Sequence, residues 1–239
     1  IDFASPSNRE ALTAAKTYDN AKAGIDKLAN DLTHDVYERI LKPTKGRWLG
    51  MCEGHHFWQF RSGDTTDMRL CTMLGTIHLG TQFLCRLNVA VPKLRWFGDV
   101  WLHGQPGQGS GAEGALLNRL KLLSADWELV DAFLMGHWTK KAHTAIPKLR
   151  PVRGGSGGWH LRSRDVHLVG TGGWSLGLVQ DRRDGLIPRG TYVEKAGMRP
   201  VSLGAPVVTI RPVCTDSRTT EGGRSIRRRA WMPEIRVSF

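Results

Sequence analysis

The chain has 239 residues, of which 40% are hydrophobic and 8% aromatic, a globular composition that excludes a disordered tract. This length can form one substantial domain burying roughly 70% of its unfolded surface, and no run approaches the about 20 apolar residues that cross a bilayer. Lys and Arg number 34 against 22 Asp and Glu, so the net charge is +12 and the field favours polyanionic partners, nucleic acid first among them.

In chain order, Ile1-Asp2-Phe3 opens the sequence with no initiator Met, basic n-region or apolar h-region, which predicts a fragment or processed product. Ser5-Pro6-Ser7-Asn8-Arg9-Glu10 reads as a helix start, a capping oxygen followed by a carboxylate in the first turn. Ile25, Leu28, Leu32, Val36 and Ile40 then recur at helical steps as one apolar stripe, and Pro43 and Gly46 end the helix. Arg47 to Cys52 is a short buried-strand candidate leading into Glu53-Gly54-His55-His56-Phe57. Thr66 to Leu74 predicts a second helix, closed by Gly75.

Two strands follow, Phe83 to Val91 and Leu94 to Leu102, separated by Pro92-Lys93, and the second delivers His103. A glycine-rich loop from Gly104 to Gly114 precedes a leucine-rich helix, Ala115 to Ser124. Val130 to Met135 predicts a strand ending at Gly136-His137-Trp138-Thr139. Beyond His143, Gly154-Gly155-Ser156-Gly157-Gly158 and Thr171-Gly172-Gly173 punctuate short apolar runs that read as hairpins. Strands alternating with helices, then a strand-rich second half, predict a layered α/β (α+β) sandwich, with residues 1–239 as a single domain.

Cysteines at 52, 71, 85 and 214 form no Cys-x-x-Cys pair, which predicts reduced, buried thiols in a cytosolic setting. The nine tryptophans read as packing groups rather than stacking platforms. Ser175 and Cys52 sit in no nucleophile elbow, and Gly170 to Gly173 lacks the Gly-Lys-Ser/Thr ending of a phosphate loop. Residues 216–239 form a basic C-terminal segment around Arg224-Ser225-Ile226-Arg227-Arg228-Arg229, read as a solvated face or tail, with nucleic-acid contact as its functional alternative.

Chemistry concentrates in three short stretches: Cys52-Glu53-Gly54-His55-His56-Phe57, Trp101-Leu102-His103-Gly104 and Leu134-Met135-Gly136-His137-Trp138-Thr139. Each follows a strand-like run at the point where a strand would hand over to a loop. Rigid strands can carry imidazoles from distant points in the sequence to one sheet edge, and imidazole both ligates metals and moves protons near neutral pH.

The order of these stretches and their glycines resembles the calcineurin-like metallophosphoesterases, whose boxes run Gly-Asp, Gly-Asn-His-Glu, His-Gly and Gly-His-x-His. Tyr192-Val193-Glu194-Lys195-Ala196-Gly197 is similar to phage and metagenomic members, and the resemblance covers roughly residues 1–215. It implies a layered αββα sandwich incomplete at the N-terminus. The Gly-Asp box is missing, and Ile1-Asp2 matches the tail of a Gly-Asp-x-Ile-Asp strand whose bridging aspartate would lie upstream. Gly98-Asp99 follows the Gly-His-His turn and belongs to the strand of His103, so Asp99 is not that aspartate.

The resemblance implies that His56 contacts phosphate and protonates the leaving group, and that His55, His103 and His137 ligate a divalent metal. His55 replaces the family's asparagine, which favours Mn, Zn or Fe over Mg. Thr139 replaces the second histidine of Gly-His-x-His, removing a ligand of the other metal. The implied activity is hydrolysis of a phosphate ester, given the charge a DNA or RNA phosphodiester, by metal-activated water with His56 as general acid. The alternative is a catalytically impaired nucleic-acid-binding protein, or a structural phage protein, on the same scaffold. Either would act in the cytoplasm, that of the host if phage-encoded.

Overall fold

A computed structural model describes residues 19–91, 96–105, 113–153, 158–174, 183–184, 187–188, 202–221 and 224–239. The expected helix start at Ser5, the matches at Ile1-Asp2 and at Tyr192 to Gly197, and most of the loop after Gly104 lie outside these residues. The chain forms two compact units, Ile1–Phe83 and Leu84–Phe239.

In the first unit, helix α1 (Asp19–Val36) continues through a π turn (Tyr37–Leu41) and a 3-10 turn (Lys42–Thr44), ending at Pro43 and Gly46 as the sequence predicts. Its buried face differs from the predicted stripe. Ala29, Thr33 and Tyr37 are buried, whereas Leu28 and Ile40 are 56% and 64% exposed. The cause is complementarity of size. The facing loop contributes the bulk, Trp58 and Phe60, so the helix offers small Ala29, with Ile25 beside it. Further along, Tyr37 packs on Leu70 and Leu74.

The strand expected at Arg47 to Cys52 is a single bridge, Met51 to His78. The two segments approach so closely at Gly50 that a Cβ there would run into the Leu79 side chain. Helix α2 (Thr66–Leu74) matches its prediction. The Thr65 hydroxyl caps it by accepting the Met68 N–H at 3.2 Å. Gly75 closes it at φ 68°, its N–H directed to the carbonyls of Cys71 and Thr72.

The second unit holds a five-stranded mixed sheet in the order β1-β2-β3-β5-β4, so the chain is α/β as expected. Its strands are β1 (Phe83–Val91), β2 (Trp96–Gln105), β3 (Ala132–Met135), β4 (Lys141–Arg153) and β5 (Trp159–Thr171). β2, β3 and β5 run parallel, and β4 returns antiparallel to β5. Helix α3 (Glu113–Asp126) lies on one face, where Leu116 and Leu120 meet Phe133, Met135, Val166 and Leu168. Gly170 permits this crossing, because a Cβ there would collide with Leu116.

β2 runs three residues past its predicted end, since 102–105 pair with 132–135 and the Gln105 carbonyl accepts the Gly136 N–H at 3.0 Å. His103 therefore lies within a strand rather than at a strand-to-loop junction. A short pair, β6 (Arg183–Asp184) and β7 (Ile187–Pro188), is followed by a two-stranded ribbon, β8 (Val207–Glu221) with β9 (Arg224–Ser238). The basic C-terminal segment is thus a paired strand, not a tail. Trp159 and Trp174, expected to pack, are exposed. All four cysteines are free. Among the described residues no helix is long and apolar enough to cross a membrane.

One buried carboxylate joins β2 and β5 to the edge strand β4. Asp131, fully buried just before β3, accepts the Trp101 N–H of β2 at 2.9 Å and pairs with Arg150 of β4 at 3.2 Å and Arg164 of β5 at 2.7 Å. Burial pushes its carboxyl up, while the Trp101 N–H and the two guanidinium groups pull it back. Asp131→Ala would strand two part-buried cations and is expected to cost about 3–5 kcal/mol in a urea melt; a loss under about 1 kcal/mol would contradict this role.

Candidate functional site

His55 and His56 occupy a turn of the first unit, their rings 4.0 Å apart and tilted by 56°. The N-terminal end of α2 pins this turn on both sides. Before it, the Glu53 carboxylate accepts the Thr65 hydroxyl at 2.8 Å, and the Asp67 carboxylate accepts the Gly54 N–H at 2.9 Å. After it, Trp58 and Thr66 exchange two hydrogen bonds, 3.0 and 3.2 Å long. The Glu53 N–H is also held by the Gly80 carbonyl at 2.8 Å, and His78 Nε2 stands 3.6 Å from the Glu53 carboxylate. Sequence reasoning missed Glu53, Thr65, Asp67 and His78. The one available signal was Thr65 as a cap immediately ahead of an apolar helix.

His103, in β2 opposite Phe133, is 1% exposed. Its ring packs on Trp127 and Phe133 at centroid distances of 5.0 and 5.6 Å. Both ring nitrogens are buried without a hydrogen-bond partner among the described residues. Burial lowers its pKa, so the ring stays neutral near pH 7 with a lone pair available.

His137 and Thr139 lie in the turn after β3, with φ of 72° and 50°. They are the two non-glycine positive-φ residues among those described, and for β-branched Thr139 this conformation is strained. The turn is clamped from inside and outside. Trp138 inserts into the core beneath α3, while His137 is exposed. The Lys140 N–H bonds the Trp138 carbonyl at 2.6 Å, and the Thr171 hydroxyl bonds the Met135 carbonyl at 3.3 Å. Gly173 rests on Thr139, where a Cβ would come within 3.0 Å of the Thr139 Cα. Because β2 and β3 are parallel, the ends carrying His103 and His137 lie on one sheet edge.

His55 and His56 thus belong to the first unit, and His103 and His137 to the second. Asp99 lies within β2, the strand of His103. Among the described residues no group of three or more His, Cys, Asp or Glu side chains is arranged to hold a metal ion. No protein family, curated protein or solved structure matches the chain.

A second histidine pair was not foreseen. His143 of β4 and His167 of β5 fall on the sheet face opposite α3, with Nε2 of one 3.0 Å from Nδ1 of the other and rings stacked at 7°. The signal was available only through strand register, which sets His143 beside Val169 and His167 beside Ala145. Burial lowers both pKa values, and for His167 the neighbouring His143 lowers it further against the opposing pull of Asp165.

Three imidazoles, His103, His143 and His167, therefore stay neutral in the folded chain at pH values where the unfolded chain, with imidazole pKa about 6.5, takes up protons. The unfolded state binds more protons below that pH, so stability is expected to fall as pH drops from about 7 to 5. Replacing His143 and His167 together by Leu should flatten this dependence in melts at the two pH values. An unchanged slope would show that the pair does not titrate with folding.

Proposed function

We propose that the chain is a divalent-metal-dependent phosphoesterase on a layered αββα metallophosphoesterase-like scaffold, cleaving a nucleic-acid phosphodiester in the cytoplasm. The observation that carries this reading is the strained Gly136–Lys140 turn. Positive φ at two non-glycine sites, His137 and Thr139 on either side of Trp138, is held by Trp138 inside and Gly173 outside, and such retained strain clusters at functional sites.

One donor, His103, supports a cation, although no group of three is arranged around one among the described residues. His103 carries two buried ring nitrogens without a hydrogen-bond partner among the described residues, in a ring that burial keeps neutral. Within the second unit His103 and His137 are the proposed ligands, and nitrogen donors favour Mn, Zn or Fe over Mg. When bound, such an ion supplies an activated water and offsets charge on the phosphoryl oxygens. His56 gives its proton to the leaving oxygen, from a turn whose backbone Asp67 and Thr66 fix. Thr139 offers a hydroxyl where a fourth imidazole would serve a second ion, so the chemistry rests on one. The net charge of +12 supports a polyanionic substrate.

A second reading, a catalytically impaired nucleic-acid-binding protein on the same scaffold, is favoured by the enclosure of His103 between Trp127 and Phe133. Turnover of an aryl phosphodiester by the full-length protein with Mn or Zn separates the two. The expected result is activity lost on chelation and reduced to background in His103→Ala/His137→Ala. In His56→Gln the rate should fall by about 10²–10⁴, the usual contribution of general acid catalysis. Turnover indifferent to chelator or to the double substitution would overturn the proposal.

A further inference from the structure

Tryptophan is costly to leave in water, because its side chain is among the largest apolar surfaces a chain can bury. Trp174 is nevertheless 78% exposed. The backbone that carries it is fixed. Gly172, at φ 74°, passes Gly204 so closely that a Cβ there would meet the Gly204 carbonyl oxygen and the Lys141 side chain. Gly173 and Gly204 form a bridge, the Gly204 N–H donating to the Gly173 carbonyl at 2.9 Å. Gly173 also rests on Thr139 of the strained turn. Since β5 runs parallel to β3, residue 174 leaves the sheet at the edge where His137 lies. A cation stands beside the same segment. The Lys141 side chain runs past Gly172, and its Nζ donates to the Leu203 carbonyl at 3.2 Å, using one of its three N–H groups.

We infer that Trp174 is a stacking platform for an unpaired base, with Lys141 taking a neighbouring phosphate, so that this edge accepts single-stranded nucleic acid. An indole offers a flat π-face that any base can cover, and cover is what Trp174 lacks within the chain. In a duplex each base is already stacked on both sides, so the platform selects a strand whose bases are free. An apolar protein partner would be served by the indole alone. The ammonium beside it selects a ligand that presents flat rings and anionic groups in alternation. Two trans peptides separate residues 172 and 174, so their Cα atoms lie no more than about 7.6 Å apart, close enough to engage a base and its phosphate together. The inference rests on the phosphodiester reading of this edge and narrows its substrate to a single strand, but binding itself does not require hydrolysis.

Binding is measured in chelator, where metal-dependent turnover cannot contribute, by fluorescence anisotropy of a labelled oligothymidylate of about ten nucleotides, within the usual site size of single-strand binders. The wild-type protein is expected to bind, and W174A to bind about 5- to 100-fold more weakly, the range set by stacking on one base. W174F, which keeps a ring, should restore most of the affinity, whereas W174L, apolar without a π-face, should not. K141Q should make the slope of log K against log salt shallower by about 0.7, one phosphate contact on a single strand. W159A removes a tryptophan that is 71% exposed at the opposite end of β5 and should leave affinity unchanged. Binding of a fully paired duplex should not respond to W174A. Circular dichroism of each variant checks that the fold is kept. No binding by the wild-type protein, no weakening in W174A, full rescue by W174L or equal weakening in W159A overturns the platform. Equal weakening of duplex binding by W174A also overturns it, and an unchanged slope in K141Q overturns the phosphate contact. Metal-dependent turnover without these effects would remove the platform and leave the enzymatic reading; the effects without turnover would do the reverse.

Discussion

The arrangement of the second unit depends on the Asp131 carboxylate. It is fully buried, and it takes a backbone N–H from β2 and guanidinium groups from β4 and β5, while the Asp131 backbone exchanges hydrogen bonds with Trp101 and His167. A buried charge with two cations and an N–H tolerates little displacement, because any shift leaves a polar group in low dielectric without compensation. It therefore fixes where β3 begins relative to β2 and β5. That starting point sets the parallel register, and the register brings the His103 and His137 ends of two strands to one edge. Asp131, which is not itself one of the candidate site residues, thus decides where His103 and His137 can lie.

Local signals in the sequence carried much of the secondary structure. Gly75 stops α2 because its left-handed conformation lets its N–H reach two carbonyls, and alternating apolar residues delimit β1 as Phe83–Val91. What local reading missed depends on partners far along the chain. The buried face of α1 is Ala29, Thr33 and Tyr37 because Trp58 and Phe60 lie opposite, and no periodicity in α1 alone reveals that bulk. The last residues of β2 are strand only because β3 pairs with them. Of the candidate site, the turns bearing His55, His56 and His137 were legible as glycine-flanked breaks. Their anchors, Asp67 and Gly173, were not, since each acts across a fold-dependent contact.

The histidines divide by environment, and environment decides what each ring can do. His103, His143 and His167 are held neutral by burial, the state in which an imidazole can lend a lone pair but gives up a proton poorly. His55 and His56 sit half-buried on a turn whose backbone Asp67 and Thr66 hold. A site that needs both a ligand and a general acid must draw on both classes. The proposed roles follow these environments, His103 as a donor and His56 as an acid.

Charge is segregated in the same way. A net +12 spread evenly would attract any polyanion without orienting it, because phosphate contacts carry no sequence information and fix position only through their geometry. The described acidic groups are largely committed: Asp131 to Arg150 and Arg164, Asp64 to Arg69, Glu234 to Arg211 and Arg236. For Asp64 the hydrogen bond from Arg69 holds the carboxyl at about 2, so that pair persists across the physiological range.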